Sequence, residues 1–569
     1  MSRLHGRRRL FSFIVCAAFL FGAAGASLAA PACPPGDQPY PRFYTDADPF
    51  TQAIAGANDF TASNQRLTGI VVPHHLLVPH LIAMGFKAAS GFSYRRIVVL
   101  TPDHFRGTAK PFATTARSFD SALGLVPTDR AAVAQLLAAP DRVEESCLFS
   151  SEHGIRALLP FVRHYFPDTP IVPVAVSVRA GREDWDALTE ILKGIVDDDT
   201  LVIESTDFSH YLPQYEARRF DQQTLNVLAA GSLDQLAALR QPQHLDALGA
   251  LYMQVKLQRE KFGTAPLVIA NENAQQYSAQ QSDQTTSYMV ILFGPAGEGY
   301  NDPSPAATRF LYFAGDTNFG RAMKHALLRD GAEERVRGAV LARTHGRPLV
   351  ANLEGVILPN VPEAIDDMTL AMPQDITIAW LKKLNVAAVS LANNHAFDLG
   401  LSGFGETVAA LDAAGIAWLG QGDALTIEGV DVVGLSDLDT NEARQVDLLT
   451  PEILDKLIRP DASRPVLAFV HWGREYITQP GERERLLADA MRLRSVTAIV
   501  GAHPHVASES LDALGGGDTL QLYTLGNFLF DQTAARGSSG TLLELRIFAQ
   551  GTIFARLVPL PNLFDLASE

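Results

Sequence analysis

The chain has 569 residues, 47 basic and 63 acidic side chains, 47% hydrophobic residues and three cysteines. Its length exceeds the roughly 250–300 residues at which a single core stops growing, so two or more domains are expected. With 19% charged and 8% aromatic residues the composition is that of a globular protein and not of a disordered chain, and the net charge is −16. With no basic patch beyond the N-terminus to offset phosphate repulsion, no nucleic-acid partner is expected.

The first element, residues 1–29, reads as a secretory signal. Arg3, Arg7, Arg8 and Arg9 form a positive start, residues 10–24 are uncharged, and Ser27-Leu28-Ala29-Ala30 supplies small residues for cleavage. Arg8-Arg9-Leu10-Phe11 resembles the core of a twin-arginine signal, although the usual Ser or Thr before the pair is missing. The expectation is export to the periplasm or the cell exterior, with membrane attachment only if the signal stays uncleaved. Cleavage leaves 43 basic against 63 acidic residues, a mature charge of −20. Cys33 and Cys147 then remain, either as a disulfide or as two thiols.

Short β-branched runs follow at 69–72, 97–100, 171–176, 201–203, 267–270 and 288–293, alternating with amphipathic helical stretches. A Gly/Pro-rich segment at 294–306 reads as a linker. Beyond it the alternation resumes, with runs at 310–313, 349–351, 386–391, 430–434, 466–470, 498–500 and 520–523. The fold class is therefore α/β, with domains at 30–293 and 307–569. In such layered folds ligands bind beyond the carboxyl ends of strands, and the polar residues gather at those ends.

In the first half, Val72-Pro73-His74-His75, Pro102-Asp103-His104-Phe105 and Ser205-Thr206-Asp207-Phe208-Ser209-His210 follow runs, and Glu152-His153 opens a helix. Imidazoles beside carboxylates suit a single Fe, Cu or Zn, against a polar pocket without metal. The stretches VVPHH, VVLTPDHF, SEHGIRALLPF, ESTDFSHY and TTSYMVILF resemble the Memo family, whose fold is that of class III extradiol dioxygenases. The resemblance implies His74 and His104 as metal residues, with Glu152, His153, Asp207 and His210 lining the pocket. The family's later Cys-Gly, whose cysteine is a third ligand, is absent, and His244 or Asp246 lies nearest in sequence. His75 and His80 are lining or ordinary residues, and His164 is expected on a helix surface.

In the second half, five strand ends carry Asp316, Asn352 with Glu354, Asn393-Asn394-His395, His471 with Glu475, and His503-Pro504-His505. A pair of divalent cations needs a bridging carboxylate, several imidazole or oxygen ligands, and an acid for the leaving group. The motifs GDTNFGR, NLEG, LANNHAFDLGLSGFGETVAALDAAGI, HWGREY, GAHPHV and YTLGNFLFDQ resemble the CapA, or poly-γ-glutamate capsule synthesis, group of the calcineurin-like metallophosphoesterase superfamily. That resemblance implies a β-sandwich flanked by helices and two divalent ions, Mn, Fe or Zn. Asp316 and His505 would hold the first metal, Asn394, His471 and His503 the second, and Glu354 would bridge. His395 would be the general acid, with Asp398 and Glu475 orienting groups around it. The superfamily's Asp-x-His becomes Asp316-Thr317-Asn318, so the first metal is expected to be held more weakly or differently. His325 and His345 match no motif and are expected at the surface, while Asn527 and Asp531 serve the site or cap a turn.

The function expected is an exported metal-dependent hydrolase acting on an envelope or capsule polymer such as a poly-γ-glutamate-like amide, or on a phosphoester. The alternative is a non-catalytic metal-binding assembly protein of the envelope, with the first half a metal-, ligand-binding or redox module.

Overall fold

The computed structural model describes residues 36–294, 300–363, 365–366, 368–439, 448–458, 464–532 and 540–569. The expected signal, Cys33 and residues 295–299 of the expected linker lie outside them. Cys147 is disulfide-bonded.

In the first half, Gly69–Val72, Arg96–Pro102, Ile171–Val176 and Thr200–Ser205 are buried along their whole length. Apolar, β-branched runs of this kind suit parallel strands covered on both faces. They form the middle of a nine-stranded sheet ordered Pro266–Asn273, Thr285–Phe293, Gly69–Val72, Thr200–Ser205, Arg96–Pro102, Ile171–Val176, Phe112–Thr114 and Val143–Glu145, with Phe208–Leu212 pairing on Thr285–Phe293. His74, Asp103, His104 and Asp207 all follow the carboxyl ends of the central parallel strands.

The second half stacks two sheets. One runs Ala417–Leu419, Val386–Ser390, Leu349–Leu353, Arg309–Thr317, Thr541–Ile547 and Ile553–Pro559, with Asn527–Leu529 on Arg309–Thr317. The other runs Ala424–Ile427, Val430–Ser436, Val466–His471, Ala498–Ala502, Thr519–Leu522 and Asp512–Leu514. Leu311, Phe313, Val350, Val432, Leu467 and Phe469 fill the space between them. Helices cover both outer faces, through Trp380, Leu381 and Leu411 on the first sheet and Leu487 and Met491 on the second. The result is a four-layered α/β/β/α sandwich.

The strands Thr541–Ile547 and Ile553–Pro559 are not among the runs expected from sequence, because charged residues interrupt them. Arg546 is fully buried and meets Glu544 at 2.9 Å and Asp302 at 2.8 Å, while Glu544 also holds Arg556 at 2.8 Å. Paired in this way, the charges lie inside the sheet.

The two halves pack through the helix Gln214–Ala230. Gln222 takes the N–H and the carbonyl of Ile553, each at 2.8 Å, and Asn226 Nδ2 donates to Gly517 O at 2.8 Å. From the other side, Gln550 Nε2 donates to Asp221 at 3.1 Å and Thr552 Oγ1 to Asn271 at 2.6 Å. Phe548 and Phe554 enter the apolar core of the first half. Beside this contact lies a cleft of about 690 Å³, walled by Leu267, Tyr300, Phe554 and Leu557 among others, and lined by none of the expected site residues.

Candidate metal centres

The second-half cluster forms where the carboxyl ends of both stacked sheets meet. Asp316 lies near the end of Arg309–Thr317, Glu354 just past Leu349–Leu353, and Asn394 and His395 past Val386–Ser390. The facing sheet supplies His471 at the end of Val466–His471, and His503 and His505 past Ala498–Ala502. Two motif glycines permit the crossing of chains behind it. A Cβ on Gly315 would stand 1.8 Å from Gly526 O, and one on Gly501 1.7 Å from Tyr523 O.

Within the cluster, His505 Nδ1 lies 3.2 Å from Asp316 and 2.8 Å from Asn527 Oδ1. His471 Nε2 lies 2.8 Å from Asn394 Oδ1 and 3.6 Å from Glu354. One ligand atom each of Glu354, His503 and His505 fall within 4.8 Å of one another. Glu354 Oε2 and His503 Nδ1 are buried with no hydrogen-bond partner among the described residues. Such orphaned donor atoms are costly unless something satisfies them, and neutral imidazole with carboxylate is a donor set for a divalent transition metal. The residues present therefore fit the cations that the family resemblance implies.

Burial and the charge of Asp316 push Glu354 up to about 7. Burial alone would lower His505, but Asp316 and Glu354 more than offset it and raise it to about 10. His503 falls to about 4 through burial. At pH 6 the metal-free cluster thus carries protons on both Glu354 and His505, and a cation must expel both. Apparent metal affinity should rise about a hundredfold per pH unit between pH 5 and 6.5 and about tenfold per unit between 7.5 and 9. Titration calorimetry in buffers of different ionisation enthalpy checks this; an affinity flat across pH 5–9 would refute it.

His395 Nδ1 lies 2.9 Å from Asp398 Oδ2, which also accepts the Leu370 N–H at 2.7 Å. Glu475 does not join this arrangement. Its side chain is exposed and makes no hydrogen bond to the cluster, and its influence is its negative charge, which helps raise Glu354. Asn318 is engaged with backbone, donating to Glu354 O at 2.7 Å and accepting the Gly320 N–H at 2.8 Å. It braces the backbone of Glu354 where the superfamily has a histidine. Two amides given no role from sequence build the floor. Asn352 Nδ2 donates to Asp316 at 2.8 Å and meets His471 Nδ1 at 3.1 Å, and Asn393 Nδ2 donates to Asn352 and to Leu353 O. Their positions inside NLEG and LANNH were the available signal.

The first-half cluster centres on Asp246. Its Oδ2 lies 3.2 Å from His74 Nε2, 3.3 Å from His104 Nε2 and 3.9 Å from His210 Nε2. Its other oxygen accepts Thr206 Oγ1 at 2.8 Å and the Asp207 N–H at 3.1 Å. The far nitrogens are also fixed: His104 Nδ1 meets Glu152 at 2.6 Å and His74 Nδ1 meets Ser205 Oγ at 3.1 Å. Glu152 also accepts the Gly154 N–H at 2.9 Å, capping the short helix His153–Arg156. Asp207 accepts the His74 N–H at 3.1 Å and stands 3.6 Å from its ring. The His153 ring stacks on His104 at 3.9 Å, and burial with the neighbouring imidazoles lowers it to about 3. For His104, burial works downward, but hydrogen bonds to Asp246 and Glu152 raise it to about 10.

His244, offered with Asp246 in place of the missing cysteine, faces away. Its ring receives the Arg240 N–H at 3.0 Å, meets Gln223 at 3.1 Å and packs on Phe220. Glu204, which opens the ESTDFSHY stretch but has no role assigned from sequence, is buried with neither carboxylate oxygen hydrogen-bonded among the described residues, and burial raises its pKa well above the usual range. At the mouth, His75 meets the Tyr288 hydroxyl at 2.5 Å and His80 meets Glu272 at 3.3 Å. His164, His325 and His345 are exposed.

Fold and clusters together define a two-domain α/β protein with a histidine-carboxylate pocket at the strand ends of each half. Residues 40–292 match the Memo-like protein family, and residues 310–429 and 438–532 match the bacterial capsule synthesis protein PGA_cap family. The chain is a Memo-like domain fused to a CapA-like domain. Capsule biosynthesis protein CapA of Bacillus anthracis is 29% identical over 277 residues, 44% of this chain and 66% of that protein. PGA biosynthesis protein CapA of Bacillus subtilis (strain 168) is 27% identical over 280 residues, 45% of this chain and 72% of that protein. A MEMO1 family protein of Aquifex aeolicus (strain VF5) is 25% identical over 236 residues, 39% of this chain and 86% of that protein. The match thus spans just under two thirds of the Bacillus anthracis relative.

Proposed function

We propose that the CapA-like half is a metal-dependent hydrolase acting on an envelope polymer, with the γ-amide of a poly-γ-glutamate-like chain as first choice and a phosphoester as second. The observation that carries the reading is the convergence of Asp316, Glu354, Asn394, His471, His503 and His505, with orphaned Glu354 and His503 atoms, beside the oriented pair His395–Asp398. Divalent cations held by those six residues would supply the positive charge that polarises the scissile group. His395 protonates the leaving group, Asp398 holds its ring, and Asn352 with Asn393 fixes the orientation of His471 and Asp316. The bonded state of Cys147 and the capsule-related relatives support export to an oxidising compartment. Purified protein loaded with Mn²⁺ should hydrolyse a γ-glutamyl oligomer or an aryl phosphate; binding no metal, or turning over neither substrate, would sink the reading. Asn318, occupied with backbone where a metal histidine is usual, favours the second reading, a metal-binding assembly protein without turnover.

In the Memo-like half we propose one metal ion, Fe, Cu or Zn, held by His74, His104 and Asp246. Nitrogen-to-oxygen separations of 3.2 and 3.3 Å match adjacent ligands at bond lengths of about 2.2 Å. Glu152 and Ser205 set the two rings from behind, the usual role of groups beyond a metal's ligands. Asp246→Ala should remove the metal from this half, with more than about a hundredfold loss of affinity, while the CapA-like half keeps its own content. Element analysis of the whole protein reads both; unchanged total content in the variant would refute the assignment.

A further inference from the structure

We propose that Arg321 and Tyr476 form the substrate-recognition wall of the CapA-like site and bind an oxyanion carried by the substrate beside its scissile bond. The inference rests on the hydrolase reading and supplies the substrate's chemistry.

Ten described non-glycine residues have positive φ, and four of them gather here: His503, His505, Arg321 and Tyr476, at 95°, 59°, 47° and 63°. Strained backbone of this kind persists only where the surroundings over-determine it, and it clusters at functional sites. The two histidines present their rings to the cluster. Arg321 and Tyr476 have no ligand role, yet Tyr476 stands beside His505 and Arg321 is linked to it through Phe530. Asp531 grips Arg321 through Nε at 3.2 Å and through Nη2, and also accepts the Ala322 N–H at 3.1 Å. The guanidinium is thereby laid over Phe530, 5.3 Å from the ring centre, and Phe530 packs 4.9 Å from His505. Tyr476, its amide bound to Pro504 O at 2.8 Å, stands 6.5 Å from the His505 ring, and the Arg321 charge acts on its phenol.

The sheet order places this wall. His395 lies past Val386–Ser390, Glu354 past Leu349–Leu353, and Asp316 with Arg321 at and past Arg309–Thr317, on which Asn527–Leu529 pairs just before Phe530 and Asp531. The strand that leads to the acid and the strand that leads to Arg321 therefore lie on opposite sides of the one that leads to Glu354. Asp531 orients Arg321, whose side chain is 32% exposed. A planar guanidinium beside a hydroxyl is suited to carboxylate or phosphate. With the acidic mature chain giving no long-range attraction to polyanions, recognition of an anion has to be local.

Carboxylate and phosphate share this chemistry, and the test separates them. Metal-loaded full-length protein is titrated with tri-γ-glutamate, with its fully amidated analogue and with inorganic phosphate. Arg321→Met should weaken one of the two anions by about tenfold or more, as expected for a hydrogen bond to a charged group, and leave the amidated analogue within about twofold. The anion affected names the source. Arg321→Lys should recover part of the loss, and Tyr476→Phe should show a smaller one. Equal weakening of anion and neutral analogue, unchanged binding of both anions, or no anion binding by the wild type would overturn the proposal. Binding is read without turnover, so a protein that hydrolyses nothing but loses anion affinity with Arg321→Met refutes the hydrolase reading and leaves this wall standing.

Discussion

His395→Ala is expected to lower turnover about 10²- to 10⁴-fold, the usual contribution of a positioned general acid, while metal content and stability stay near wild type. His395 touches none of the proposed ligands through a hydrogen bond; its ring is held by Asp398 and its amide by Asn393. Burial alone would lower its pKa, but the Asp398 hydrogen bond and the nearby Glu354 charge raise it. In the metal-free cluster the acid form therefore survives to higher pH than in an ordinary histidine; with cations neutralising Glu354 the Asp398 hydrogen bond is the part of that effect that remains, and the alkaline limb of the kcat profile reports loss of the acid. Removing the acceptor with Asp398→Asn lowers that pKa, so the limb should move toward acid. A profile whose alkaline limb is unchanged in Asp398→Asn would show that another group supplies the proton.

Glu354→Gln should have the second large effect, reducing metal affinity by more than about a hundredfold and activity with it. The variant also isolates a stability term. Folding raises Glu354 from 4.5 to about 7, so the metal-free fold takes up a proton that the unfolded chain releases between those values. That contribution is full below pH 4.5 and is lost as pH rises through about 7, a swing of about 3 kcal/mol at 1.36 kcal/mol per unit. Glutamine does not titrate, so the difference in denaturation midpoint between the metal-free proteins should shift in favour of the variant from pH 4.5 to 7.5. A difference that does not change with pH would refute the buried, proton-carrying state of Glu354.

Much of the fold was legible because its central strands are apolar runs bounded by polar loops. Gly69–Val72 and Val466–His471 announce themselves through β-branched residues, and their polar ends mark where the histidine–carboxylate clusters form. Thr541–Ile547 did not, since Glu544 and Arg546 look like surface residues until their mutual pairing inside the sheet is seen. The sites divide in the same way. Residue types and motif order drew attention to His471, His503 and Asp246, but spacing alone could not choose between Asp246 and His244. Only the chain path shows one turned to three imidazoles and the other to Gln223. Glu475 lies one residue from Arg474 within HWGREY, and no pattern distinguishes a carboxylate that orients from one that points to water.

The hairpin tip that carries Phe548 and Gln550 against Asp221 has a practical consequence for dissecting this protein. Cutting the chain at the linker would strip two phenylalanines of their cover and leave the Asp221 carboxylate, whose pKa is already raised by burial, short of a donor. Phe208–Leu212, the strand that carries His210, is braced by that carboxylate through Ser209 Oγ at 2.7 Å. An isolated Memo-like fragment would thus report on a disturbed pocket, and the metal proposed for that half has to be sought in the fused chain.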